Sequence, residues 1–258
     1  MKILAILGSP RKGETYAAVQ RLEQRLRTHA AVEVEYLMLS HLRLPDCAGC
    51  HSCIYKGREA CWQAEPLRQL QDKMTAADAV ILASPVYNQG VTAIMKKFLD
   101  YFTFLWHRPE LFGVKFFGIS SGGGMFQGVF KTLRESVHSW GGTWMGSLGV
   151  PHYEALTPKA RRKADAELIR AADIFLRGLG SKELPRPNFM ALMRFRVWRM
   201  NAIACRSSIP ADYECWLRAG WFTQPFYYDT KINPVVRLCA DAAAVMTRRF
   251  LRGVYIGY

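Results

Sequence analysis

Five times in the first 180 residues a strand-like apolar run gives way to a loop and then to helical spacing or a long connection. From Lys2 to Leu7 the chain is apolar and closes on Gly8, the pattern of a strand covered on both faces. Ala79 to Ala83 reads the same way. Val32-Glu33-Val34-Glu35-Tyr36 alternates strictly, as a half-exposed edge strand does. Two further strands are predicted at Val114–Ile119 and Thr143–Val150. Helical spacing occupies Glu14–Thr28, Val91–Phe104, Gly128–Trp140 and Pro158–Leu179. Strands that alternate with helices form a parallel sheet with helices on both faces. The order 2-1-3-4-5 puts strand 1 in the middle and the alternating strand 2 at an edge, giving a doubly wound, flavodoxin-like α/β fold. Ligands of such sheets bind beyond the carboxyl ends of the strands, so the loops there should carry the chemistry.

Residues 1–180 are thus expected to form one domain and 181–258 an extension of different character. From Pro185 onward stand 13 of the chain's 32 aromatic residues, and eleven Lys and Arg against four Asp and Glu, half of the net charge of +14. Two helices are predicted, Asn188–Cys205 and Pro234–Arg252, around a turn-rich aromatic stretch. Met193, Val197, Met200 and Ala204 form an apolar stripe on the first, and Val235, Leu238, Ala242, Val245 and Met246 on the second. The expectation is that these stripes pack inward with arginines in water. Peripheral contact with an anionic membrane surface, a cap on a ligand site and a subunit interface are alternatives. No nucleic-acid-binding signature accompanies the charge, so no nucleic acid partner is expected. Met1-Lys2 and five apolar residues are too short for a secretory signal, and the longest charge-free stretch, Ser136–Tyr153, holds four glycines. A cytoplasmic protein is expected.

The loop after strand 1, Gly8-Ser9-Pro10-Arg11-Lys12-Gly13-Glu14-Thr15, leads into a helix. Unpaired N–H groups at a helix start, two cations and two hydroxyls suit a phosphate. The spacing Gly8-x4-Gly13 approaches a P-loop, but Glu14 stands where that motif needs Lys. The dinucleotide fingerprint Gly-x-Gly-x-x-Gly is missing as well. What remains fits a monophosphate. After strand 3, Pro85, Val86, Tyr87 and Asn88 offer a fixed turn, a flat face and a polar edge for a planar heterocycle. After strand 4, Gly122, Gly123 and Gly124 permit close approach of such a ring to the main chain.

Gly8-Ser9-Pro10-Arg11-Lys12, Ser84-Pro85-Val86-Tyr87 and the glycine-rich loop to Gly124 resemble the flavodoxin-like NAD(P)H-dependent FMN reductase superfamily. The cysteines are similar to those of its iron–sulfur flavoprotein branch. The resemblance covers about residues 1–180 and implies noncovalently bound FMN. It places the phosphate on Ser9, Arg11, Lys12, Gly13 and Thr15, and the ring against Pro85, Val86, Tyr87 and Asn88, with Gly122, Gly123 and Gly124 on the other side. Many relatives carry Asn where this chain has Glu14; that carboxylate must turn outward or pair with Arg11 or Lys12.

Four of the seven cysteines crowd into Cys47-x2-Cys50-x2-Cys53-x7-Cys61. Such crowding outside a secreted protein points to metal or redox chemistry. Three closely spaced thiolates can wrap one face of a cubane and a fourth complete a [4Fe–4S] site. Zinc sites more often use separated pairs. Four free thiols, buried as small hydrophobes, fit the same spacing.

The expected activity is FMN-dependent oxidoreduction with NAD(P)H as co-substrate. Tyr87 and Asn88 would position the ring, with no side-chain nucleophile, and a quinone, flavin, other small molecule or protein would accept the electrons. The alternative is a non-catalytic electron carrier holding FMN and a [4Fe–4S] cluster between protein partners. Relatives in the superfamily are commonly dimers or tetramers, so a homo-oligomer is implied.

Overall fold

A computed structural model describes residues 1–181 and 183–254; Lys182 and residues 255–258 of the expected extension lie outside it. The chain divides into two compact units. Met1–Ala48 and Pro66–Glu183 make one; Gly49–Glu65 groups with the chain from Leu184 onward.

The first unit is built on a sheet of β1 (Lys2–Leu7), β2 (Glu33–Met38), β3 (Ala79–Pro85), β4 (Lys115–Gly122) and β5 (Thr143–Pro151). All neighbours run parallel in the order β2-β1-β3-β4-β5, as the sequence predicts. Burial explains the order. β1 from Ile3 onward and β3 up to Ser84 are buried throughout, while edge strand β2 alternates along most of its length. α1 (Glu14–Arg27) and α6 (Pro158–Gly180) cover one face. There Ala18, Leu22, Ala172 and Phe175 pack on Ile3, Ala5, Ile81 and Phe117. The alternate residues point the opposite way, and there Phe116, Phe98 and Phe102 meet the ring of Trp140 at 6.1, 6.1 and 5.6 Å. The helices on either side of Trp140's group are α4 (Ala93–Tyr101) and α5 (Gln127–Ser139). A helix the sequence reading passed over, α3 (Ala64–Ala76), buries Leu67, Leu70 and Met74 before β3 begins.

The second unit contains the short α2 (Ser52–Tyr55) with α7 (Phe189–Ala204), α8 (Pro210–Arg218) and α9 (Pro234–Val254). Asn188 starts α7 by accepting the Ala191 N–H at 2.9 Å. The aromatic stretch, expected as turns, includes α8. Its core is a ring cluster in which Trp216 lies 5.4 Å from Phe195, 5.2 Å from Trp221 and 5.6 Å from Tyr227.

The predicted stripes are corrected here. α7 buries Leu192, Phe195 and Ala202, whereas Met193, Val197, Met200 and Ala204 are half-buried. α9 buries Ala240 and Ala244, half-buries Val236 and Leu251, and leaves Val235, Leu238, Val245, Met246 and Phe250 exposed. Small residues let the two packed helices approach closely, and that close approach decides which face turns in. Arg196 is not in water either. It is 8% exposed, pairs with Asp241 at 2.7 Å and donates to the Pro225 carbonyl at 3.1 Å. No described helix is long and apolar enough to cross a membrane.

Candidate functional site

Parallel order brings the loops after β1, β3 and β4 to one edge of the sheet, and hydrogen bonds join them there. The Gly8 N–H donates to the Ala83 carbonyl at 2.8 Å, and the Val86 N–H to the Ser121 carbonyl at 2.9 Å. Thr15 and Ser121 share a buried hydroxyl–hydroxyl bond of 2.7 Å between the first and third loops. All three expected segments therefore belong to one constellation.

The first loop is folded on itself. Ser9, buried, donates its hydroxyl to the Arg11 carbonyl at 2.7 Å, and the Gly13 N–H donates to the same carbonyl at 3.0 Å. Gly13 then opens α1 with no side-chain cap. An uncapped helix start leaves N–H donors and a partial positive charge facing outward. Arg11 and Lys12 stand exposed beside it, with the Lys12 ammonium 5.4 Å from the centre of the Tyr16 ring. The buried Oγ of Ser120, on the opposite face of β4 from Ser121, has no hydrogen-bond partner among the described residues. Donor-rich and, apart from Glu14, cationic, this loop is chemically equipped for an anion.

Glu14 departs from the expectation of turning outward. Its Oε2 is buried and makes no hydrogen bond among the described residues.

The second loop is a tight turn. Tyr87 and Gly90 exchange N–H···O bonds of 3.0 Å in both directions across Asn88 and Gln89. Both turn residues have positive φ, 46° and 63°, the signature of a type I′ turn. Tyr87 is 51% exposed, and Asn88 is exposed too, so both are open to a ligand. Pro85 and Val86 are half-buried below them. In the third loop Gly122 and Gly124 have φ of +154° and +134°, and Gly123 and Gly124 adjoin open space.

Two residues that sequence reasoning missed hold this frame. Thr92, buried, donates its hydroxyl to the Gly8 carbonyl at 2.5 Å and accepts the Met95 N–H at 3.1 Å as N-cap of α4. Its own N–H donates to Ser84 Oγ at 3.1 Å, so it ties the first loop to the second. Gly128, near the start of α5, lies so close to the second loop that a Cβ there would stand 1.8 Å from the Gln89 carbonyl oxygen. Thr92 carries a recognisable signal, a hydroxyl immediately before a helical pattern. Gly128 carries none, because its neighbour is 39 residues away in sequence.

The cysteines are placed differently. Cys47 belongs to the first unit and Cys50, Cys53 and Cys61 to the second. None of the four is in a disulfide; Cys47 and Cys50 are exposed, and Cys53 and Cys61 are half-buried. Hydrogen bonds from the Ser52 side chain and amide lower the Cys50 pKa. Among the described residues no three His, Cys, Asp or Glu side chains stand together as a metal-binding group.

A doubly wound α/β sheet with an anion-ready loop after β1 and a flat-ligand turn after β3 defines a nucleotide-cofactor-binding protein of the flavodoxin-like kind. Residues 1–161 match the NADPH-dependent FMN reductase family, and the chain belongs to that family. It is similar to an iron–sulfur flavoprotein of Archaeoglobus fulgidus, 35% identical over 144 residues. That match covers 55% of this chain and 64% of the relative. An iron–sulfur flavoprotein of Methanosarcina thermophila is 29% identical over 143 residues, covering 54% of this chain and 72% of the relative. Other relatives of the same description are matched over about half their length. Solved structures of similar fold include an NADH:FMN oxidoreductase in its apo form, at TM-score 0.52 and 22% identity, covering 70% of this chain and 90% of that one. An FMN-dependent NADH-azoreductase of Bacillus anthracis in complex with FMN aligns at TM-score 0.53 and 14% identity, covering 67% and 98%.

Proposed function

We propose that the chain binds FMN at the joined loops and works as an NAD(P)H-dependent oxidoreductase that reduces a small acceptor, such as a quinone or a flavin. The observation that carries this reading is the uncapped start of α1 with two exposed cations beside it. A phosphate monoester supplies the acceptors these donors lack. Ser9, Arg11, Lys12, Gly13 and Thr15 would hold the phosphate. Pro85, Val86, Tyr87 and Asn88 would lie along the ring, and Gly122, Gly123 and Gly124 would leave room on its other side. When bound, FMN supplies the two-electron chemistry by accepting hydride from a nicotinamide. The protein's part is alignment: the hydrogen-bonded loops fix the ring plane, and the open side next to Tyr87 admits first the nicotinamide and then the acceptor. No acid–base pair is required of the side chains.

A second reading, an electron carrier with FMN and a [4Fe–4S] cluster, is supported by the cysteine spacing and by the description of the archaeal relatives. No step of the proposed reaction passes through a cluster. One anaerobic experiment separates the two: flavin and iron per purified chain, followed by addition of NADPH or NADH. The enzyme reading expects a flavin-only spectrum that bleaches with nicotinamide and recovers with a quinone. Stoichiometric iron with no bleaching by either nicotinamide would overturn it in favour of the carrier.

A further inference from the structure

α9 carries the surface feature that the FMN site leaves unexplained. Val235, Leu238, Val245, Met246 and Phe250 are each more than half exposed. With Ala242 they recur at intervals of three and four, with one adjacent pair, so they share one side of the helix, opposite buried Ala240 and Ala244. A lone exposed apolar residue is ordinary; a row along a 21-residue helix, about 30 Å long, is not. Exposed Arg249 lies within the row near its carboxyl end and Arg252 at its flank, with Arg248 further round the same side. The helix's single acid, Asp241, is already engaged by Arg196 at 2.7 Å and lies 3.8 Å from Arg237. The face is therefore apolar along its length and cationic toward its carboxyl end.

We propose that this face docks on an anionic bilayer surface, with the apolar row at the boundary between headgroups and acyl chains and the arginines on lipid phosphates. Charge complementarity selects this occupant. A second copy would set another cationic flank against this one in a chain of net charge +14, whereas anionic headgroups neutralise the arginines and the acyl boundary takes up the row. Arginine stems suit the position, since their methylenes lie along apolar surface while the guanidinium reaches outward. The helix lies on the membrane and does not span it, in keeping with its charges. The docking stands whichever acceptor the flavin unit serves.

The test is co-sedimentation of the full chain with phosphatidylcholine vesicles, with and without phosphatidylglycerol. Binding to the mixed vesicles should exceed binding to the neutral ones at least about tenfold and weaken as salt is raised. Leu238→Glu combined with Val245→Glu should abolish it. Arg248→Gln with Arg249→Gln should lower it by roughly fivefold per arginine. All four positions are exposed, so the melting temperature and NADPH oxidation in solution should hold in both variants, and the arginine pair remains a test if the glutamate pair fails to fold. Absence of binding to mixed vesicles, equal binding to neutral ones, or binding indifferent to both variants would overturn the proposal. A concentration-dependent dimer that the glutamate pair dissociates, with no vesicle binding, would instead assign the face to a second copy.

Discussion

Thr92 and Glu14 show how single side chains set the properties of the loop frame. Thr92 gives one hydroxyl to two tasks, donor to the Gly8 carbonyl and cap of α4, and Val cannot perform either. Thr92→Val should destabilise the fold by about 1–3 kcal/mol, through a lost cap and an orphaned buried carbonyl. FMN affinity should fall with it, read by denaturant unfolding and by quenching of flavin fluorescence. Glu14 works in the other direction. Its half-buried carboxylate, with Oε2 unpartnered, stands in the first turn of the helix that would receive a dianionic phosphate. Glu14→Gln should tighten FMN binding by about 1 kcal/mol, roughly fivefold, and leave riboflavin binding unchanged. At this scale the sequence was informative where chemistry and position coincide. Ser9, Arg11, Lys12 and Thr15 are readable because a donor-rich loop between strand and helix has few other uses. Gly128 is not, since its role is set by a carbonyl that only the folded chain brings near.

Among the elements, strands were the most legible. β1 and β3 are read as central because their runs are apolar throughout, and β2 as an edge because it alternates, so the sheet order follows. Helix α9 shows the limit. Periodicity tells which residues share a face, but not which of two faces turns inward; close helix packing chose the side centred on Ala240 and Ala244 over the side with more large apolar residues. α3 and α8 escaped notice because one follows a cysteine-rich loop and the other lies among aromatics and turns. Tyrosines linking elements give a pH prediction. Burial, and then the hydrogen bond to Glu23 of α1, raises the Tyr36 pKa in β2. Burial raises that of Tyr228 to about 12 and pushes Tyr227 up as well. The folded chain therefore holds these protons at pH values where the unfolded chain has released them. Their stabilisation is complete below about pH 10 and is lost progressively above it. Thermal melts should fall steadily from pH 10 upward, and a Tyr227→Phe, Tyr228→Phe variant should fall less steeply.

The whole molecule combines a family-defined sheet unit with a cationic helical unit, and the family match, residues 1–161, ends before the second begins in earnest. The change at Pro185 was visible in composition alone, through its arginines and aromatic residues. That Gly49–Glu65 groups with the later unit was not, because those residues interrupt the β/α alternation without any shift in charge. The central claim concerns the first unit, where main-chain donors at α1 and the cations beside them select a phosphate. The most direct measurement is titration of the flavin-free full chain with FMN and, in parallel, with riboflavin, which lacks only the phosphate. The loop described here predicts that FMN binds at least about a hundredfold more tightly, with much of that margin lost in Arg11→Ala, Lys12→Ala. Equal affinity for the two flavins, or binding of neither, would contradict it.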